Sequence, residues 1–152
     1  MKKIILSLIM LFTTGAFAAK PTTPNPTDAL AYGAKYISVS DAKALYDNGA
    51  IFLDTRKPLQ YSKQHIKGAK RAYYNEKGGN KNKLAKWDNS KDKFKTKDIP
   101  SDKNTKLITY CNGKNCWKSY KAAVALTKMG YTNVNWLREG IPGWIKSGYP
   151  VE

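Results

Sequence analysis

The run LITYCNGKNCWKSYKAAVALTKM, residues 107–129, constrains the fold of this chain more than any other stretch. Leu107–Tyr110 reads as a short buried strand. A loop opens with Cys111 and contains Gly113, and a helix begins near Trp117–Ser119. In that helix Ala122, Leu126 and Met129 share a face, and Gly130 supplies the stop. A strand that runs through a loop into a helix aims the loop at the positive end of that helix. Such an end binds anions and lowers the pKa of a thiol, so the nucleophilic thiolate gains population near neutral pH. Lys114 and Lys118 add positive charge beside it.

The flanking sequence repeats the alternation of strand and helix. Tyr36–Val39 is an apolar strand candidate, and Ser40 can cap a helix in which Ala42, Leu45 and Tyr46 fall on one face and Gly49 follows. Ile51–Leu53 is a second strand, entering Asp54-Thr55-Arg56, and Pro58 blocks its extension. Tyr61–Ile66 reads as a helical turn, and Gly68 turns the chain into Ala69–Tyr74. Val134–Leu137 is the last strand and Ile141–Lys146 a short terminal helix with Trp144 on its apolar side. Strands separated by helical segments pair in parallel through right-handed crossovers, which gives an α/β sandwich. Ligands of open parallel sheets sit beyond the carboxyl ends of the strands, where Cys111 falls.

Two segments stand outside this pattern. Residues 1–18 carry a basic start (Lys2, Lys3), an apolar run from Ile4 to Phe12 and the small-x-small site Ala16-Phe17-Ala18. This is a signal-peptide pattern, and the run is too short to span a bilayer. Residues 19–35 contain Pro21, Pro24 and Pro26 and read as an extended linker, so the domain proper is expected over 36–152. Residues 75–106 hold ten lysines and five acids. They read as a Lys-rich insertion with one short helix near Asn82–Trp87, pinned by Trp87 and Phe94, and its charge is read as a solvated face.

The formal charge is +16, from 27 basic and 11 acidic residues, and removal of Lys2 and Lys3 leaves +14. Only three of the basic residues are arginines and no nucleic-acid module is visible, so nucleic acid is not expected as a partner. Weak contact with an anionic membrane surface and binding of small anions fit the charge. The short leader suggests the periplasm or the exterior. There, two cysteines usually form a structural disulfide. A bridge enclosing only four residues adds little of that stabilisation, and a labile or regulatory disulfide fits better. One histidine and two close cysteines do not make a zinc set, and no cofactor is expected.

Taken together, the chain resembles the rhodanese-like domain. IFLDTR (51–56) is similar to that family's strand ending in Asp-x-Arg, and HIKGA (65–69) to its His-Ile-x-Gly-Ala element. YCNGKNCWKSYKAAVAL resembles the active-site loop and helix, while GYTNVNWLREGIPGW and SGYPVE resemble the closing strand, turn and helix. The similarity runs from about Tyr36 to Glu152 with the motifs in the family's order. Cys116 stands where many rhodaneses have an arginine five residues after the nucleophile, and Ser119 follows three residues later, so this is a two-cysteine variant of the loop.

The resemblance implies a rhodanese-like three-layer sandwich, a central parallel sheet flanked by helices, and sulfur transfer through a persulfide on Cys111. The donor would be a small anion such as thiosulfate and the acceptor a thiol, with a periplasmic thiol protein as a candidate acceptor; a monomer is expected. Asn112, Gly113, Lys114, Asn115, Cys116, Trp117 and Lys118 would cradle the substrate, and Gly113 permits the close turn. Cys116 has two readings: a resolving thiol that attacks an oxidised or persulfidated Cys111, or a small hydrophobe on the first helical turn. Trp117 reads more readily as packing. Asp54 fits a structural ion pair and turn cap, while Arg56 lies just past a strand end and could contact the anion. His65 fits a structural role better than that of a base. Rival activities are thiol–disulfide exchange through Cys111 and Cys116, or a non-enzymatic sulfur carrier. A phosphatase is weaker, because the loop lacks a clamping arginine.

Overall fold

The computed structural model describes residues 24–77 and 90–152. Five strands form one wholly parallel sheet: β1 (Lys35–Tyr36), β2 (Ile51–Asp54), β3 (Lys70–Arg71), β6 (Leu107–Tyr110) and β7 (Val134–Leu137), in the order β1-β7-β6-β2-β3. The central strand β6 pairs Asp54 with its own Tyr110 on one side and Leu137 with Tyr110 on the other. Its four residues are all buried.

Side chains that alternate across the strands divide the core between two faces, as a sheet covered on both sides requires. Leu53, Leu107, Val134 and Trp136 meet Ala29 of α1 (Pro26–Ala31) and Tyr120, Ala123, Val124 and Leu126 of α4 (Trp117–Lys128). Phe52, Ile108, Tyr110 and Leu137 meet Ala42 of α2 (Val39–Asp47) and Ile141 and Trp144 of α5 (Gly140–Lys146). The result is the expected three-layer sandwich. Trp136 and Trp144 are fully buried, one on each face, and large side chains of this kind contribute roughly 1.5–3 kcal/mol each by burial.

Several boundaries differ from the expectations. Residues 26–31, expected within an extended linker, form α1: Pro26 sits in the first turn, where its missing N–H costs nothing, and the Asn25 side chain accepts from Thr27 N at 3.0 Å. Ala29 and Ala34 are fully buried, so the packed region begins well before residue 36. The cap of α2 is Ser38 rather than Ser40. Ser38 Oγ accepts from Asp41 N at 3.0 Å and the Asp41 carboxylate accepts from Ser38 N, so the capping box draws the helix start two residues earlier and leaves β1 only two residues. The helical turn near 61–66 is α3, Pro58–Lys63, entered at a proline. Met129 does not join the buried face of α4; it caps that helix and is 43% exposed.

At the start of the Lys-rich insertion, β4 (Tyr74–Asn75) pairs antiparallel with β5 (Lys93–Phe94) from within it, and β4 lies against α4. Phe94 and Ile99 reach the first core face, and the nearly buried Lys121 of α4 pairs with Glu76 at 2.9 Å. The short helix expected near 82–87 and its Trp87 anchor lie outside the described residues, as do the signal-peptide pattern and the first part of the expected linker. Among the described residues no helix is long and apolar enough to cross a membrane.

Candidate active site

β6 ends at Tyr110, and the next residue, Cys111, leaves the carboxyl edge of the sheet at its centre. The loop then turns over Gly113, at φ +119, and Cys116 N donates to Gly113 O at 3.0 Å, closing the turn. Cys116 is the N-cap of α4 and makes no side-chain cap bond. The first amides of a helix have no partner within it, so both cysteines lie at the positive end of a 12-residue helix. Cys111 and Cys116 form a disulfide, with Cα atoms 6.2 Å apart. Cys111 is 1% exposed and Cys116 half-buried, whereas Asn112, Lys114 and Asn115 face solvent.

The rear of the loop is set by the turn after β7. Ile141 N donates to Cys111 O at 3.0 Å. Between them Gly140, at φ +60, lies so close that a Cβ would collide with Cys111 O and stand 2.7 Å from Gly113 N. Only glycine satisfies both the backbone angle and the contact. The carbonyl of Glu139 faces Gly113 from the same turn. Glu139 Oε1 also accepts from Tyr36 OH at 3.0 Å; burial and this carboxylate raise the Tyr36 pKa. Sequence reasoning did not single out Gly140 or Glu139. The available signal was a glycine at a strand-to-helix junction, in the run REGIPG.

Beneath the loop lies a buried polar network. Tyr110 OH donates to Asp54 Oδ2 at 2.7 Å and accepts from Ile66 N at 3.2 Å. Burial first, then the neighbouring Asp54, pushes the Tyr110 hydroxyl far above its ordinary pKa, so it stays a donor. Arg56 meets the Asp54 carboxylate with Nε (3.0 and 3.1 Å) and Nη2 (2.6 Å), and Nη2 also donates to Gln64 O at 2.6 Å. Burial works against the guanidinium charge, but the hydrogen bond to Asp54 and its charge prevail and raise the Arg56 pKa. The expected anion contact therefore finds its side chain 7% exposed and committed to Asp54 and Gln64 instead of the loop. Thr55 ties the strands together, its amide and hydroxyl both donating to Tyr110 O.

The structure thus brings the residues from Cys111 to Lys118 together and leaves Arg56 below them. Lys118 lies with its ammonium 5.1 Å from the Tyr73 ring. Trp117 packs edge-on to Tyr120 at the margin of the first core face. His65 stacks on Tyr61, has Nδ1 2.9 Å from Tyr61 O and Nε2 3.2 Å from Glu152 Oε1, where residues 65–68 run antiparallel to the chain's last residues. A groove lined by Tyr74, Phe94, Ala125 and Met129 runs between the hairpin and α4 and includes no residue of the cysteine loop. Among the described residues, no group of three His, Cys, Asp or Glu is placed to hold a metal ion.

Residues 38–147 match the profile of the rhodanese-like domain. No curated protein matches the chain in sequence. Among solved structures, the chain is similar to the BH2092 protein from Bacillus halodurans, at 24% identity over 84% of this chain and 86% of that one, with a TM-score of 0.56. A rhodanese-related protein from Thermoplasma volcanium is 26% identical over 77% and 96% of the two chains, with a TM-score of 0.51. A thiosulfate sulfurtransferase from Pseudomonas aeruginosa is 22% identical over 84% of this chain but only 23% of its own, with a TM-score of 0.54.

Proposed function

This chain belongs to the rhodanese-like domain family, and from that premise we propose that it is a sulfurtransferase acting through a persulfide on Cys111. The thiolate of Cys111 attacks the outer sulfur of an anionic donor such as thiosulfate. A sulfur–sulfur bond forms at Sγ, the donor's own sulfur–sulfur bond breaks, and sulfite leaves with the electron pair. A thiol acceptor then takes the sulfane sulfur. The observation that carries this reading is the position of Cys111 at the exit of the central strand, in a loop seated on the start of α4. That position supplies positive potential to a thiolate, to a bound anion and to the persulfide. Asn112 to Lys118 are the proposed substrate contacts, with Lys114 and Lys118 as point charges.

We propose that the protein is exported. The pattern of residues 1–18 and a disulfide between the only two cysteines both fit an oxidising compartment such as the periplasm. The protein would act there as a monomer, without a cofactor, donating to a thiol protein, with no nucleic-acid partner and at most weak contact with an anionic membrane surface. The disulfide also favours a second reading, thiol–disulfide exchange by the Cys111–Cys116 pair; a non-enzymatic persulfide carrier is the same chemistry stopped after its first half.

The test is sulfite release from thiosulfate by reduced protein. Cys111→Ser should abolish it while leaving the far-ultraviolet circular dichroism unchanged, and Cys116→Ser should retain it in a single turnover. Sulfite release at the wild-type rate from Cys111→Ser would remove the proposal.

A further inference from the structure

The loop geometry bears on how the sulfane sulfur leaves Cys111. Cys111 is almost wholly enclosed, and its disulfide partner is Cys116. Backbone contacts hold the two residues together, in addition to the bond between them. Cys111 O is held by Ile141 N, Cys116 N is held by Gly113 O, and Gly140 packs against both Cys111 and Gly113. None of these backbone contacts runs through the sulfur–sulfur bond, and the Cα separation of 6.2 Å lies inside the range that a disulfide spans. Cys116 is also the N-cap of α4, where a thiolate is favoured.

We infer that Cys116 resolves the Cys111 persulfide before any external thiol does, and that the product released is hydrosulfide. The inference rests on the persulfide reading. Once Cys111 carries the sulfane sulfur, the Cys116 thiolate attacks Sγ of Cys111. The bond between the two cysteine sulfurs forms and the bond from Sγ of Cys111 to the sulfane sulfur breaks. The sulfane sulfur leaves with the electron pair as hydrosulfide, its proton balanced by the one Cys116 gave up. Hydrosulfide is a good leaving group because its conjugate acid is stronger than an alkyl thiol, and departure rates rise as that pKa falls. The attack is intramolecular, which gives it the advantage of proximity over a dissolved thiol. The disulfide in the structure is the end state of that step. An external dithiol reductant, supplying two electrons and two protons, returns the enzyme to its dithiol form. The net reaction converts thiosulfate and a dithiol into sulfite, hydrogen sulfide and a disulfide.

The experiment uses the whole protein, reduced, freed of reductant, and given one equivalent of thiosulfate with no added thiol. Sulfite, hydrosulfide and the intact mass are then measured. Wild type should release one equivalent each of sulfite and hydrosulfide and end two hydrogens lighter. Cys116→Ala and Cys116→Ser, the latter keeping a capping oxygen at the helix start, should release sulfite without hydrosulfide and end one sulfur atom heavier. A wild type that keeps the extra sulfur and releases only sulfite would overturn the inference and leave the persulfide reading intact. Hydrosulfide released equally by wild type and both variants would overturn it too, because Cys116 would then have no part in the step. Absence of sulfite from wild type would defeat the persulfide reading itself, and the inference with it.

Discussion

Arg56 and Asp54 show how a charged pair at the edge of an active face can serve the scaffold. The guanidinium and carboxylate are both buried, joined by three hydrogen bonds, and Tyr110 OH and Gln64 O take further valences. Removing one partner of such a pair leaves an uncompensated buried charge, which typically costs about 3–5 kcal/mol. Arg56→Ala should therefore lower the stability by that amount in urea titrations, while the folded fraction still releases sulfite from thiosulfate. At the surface, Glu152 has its pKa lowered, chiefly because its carboxylate accepts from Gly68 N, with His65 assisting. A folded-state pKa below the unfolded one stabilises above the ordinary carboxylate value of about 4.3 and is lost as the pH falls through the folded value. Denaturant midpoints should show Glu152→Gln below wild type at neutral pH, with the two converging in acid.

Elements carry the lesson about what the sequence reveals. The helix from Trp117 and the strands at 51, 107 and 134 were legible because their apolar patterns are strong and each turns most of its residues to the core. The start of α2 was misplaced because Ser38 and Ser40 are equally good caps in isolation, and Asp41 decides between them. Helix α1 was missed because prolines were read as breakers, where Pro26 is an initiator. In the site, Cys111 could be read from the strand–loop–helix order. The fate of Arg56 could not, since it depends on Asp54 and on the carbonyl of a residue eight positions away. Gly140 was illegible for a similar reason: its constraint is a contact with a loop nearly 30 residues earlier. A matched pair of variants measures that contact. Gly148, at φ +71, has nothing near its missing Cβ, so Gly148→Ala should cost only the left-handed strain of about 1–2 kcal/mol. Gly140→Ala bears the same strain plus the collision with Cys111 and Gly113, and should slow single-turnover sulfite release by tenfold or more while Gly148→Ala leaves that rate unchanged.

At the scale of the molecule, the two faces of the core dominate stability, and the disulfide is a small addition. A loop closed across a sequence separation of 5 removes unfolded-state entropy worth only about 2 kcal/mol. Reduction should lower the unfolding free energy by no more than that and leave one cooperative transition, as seen by fluorescence of the buried Trp136 and Trp144. The strand order has a consequence of a different kind. β1 hydrogen-bonds to β7, with Lys35 opposite Asn135, and β6 is inserted between β7 and β2. A chain growing from its amino end therefore makes the edge strand first and its only partner last. While β7 is still being synthesised, β1 has no strand to pair with, and the first core face lacks Val134 and Trp136. Such long-range pairings fold slowly. The sheet cannot be assembled in the order in which it is made; the arrival of Val134–Leu137 decides when a nascent chain becomes a protein.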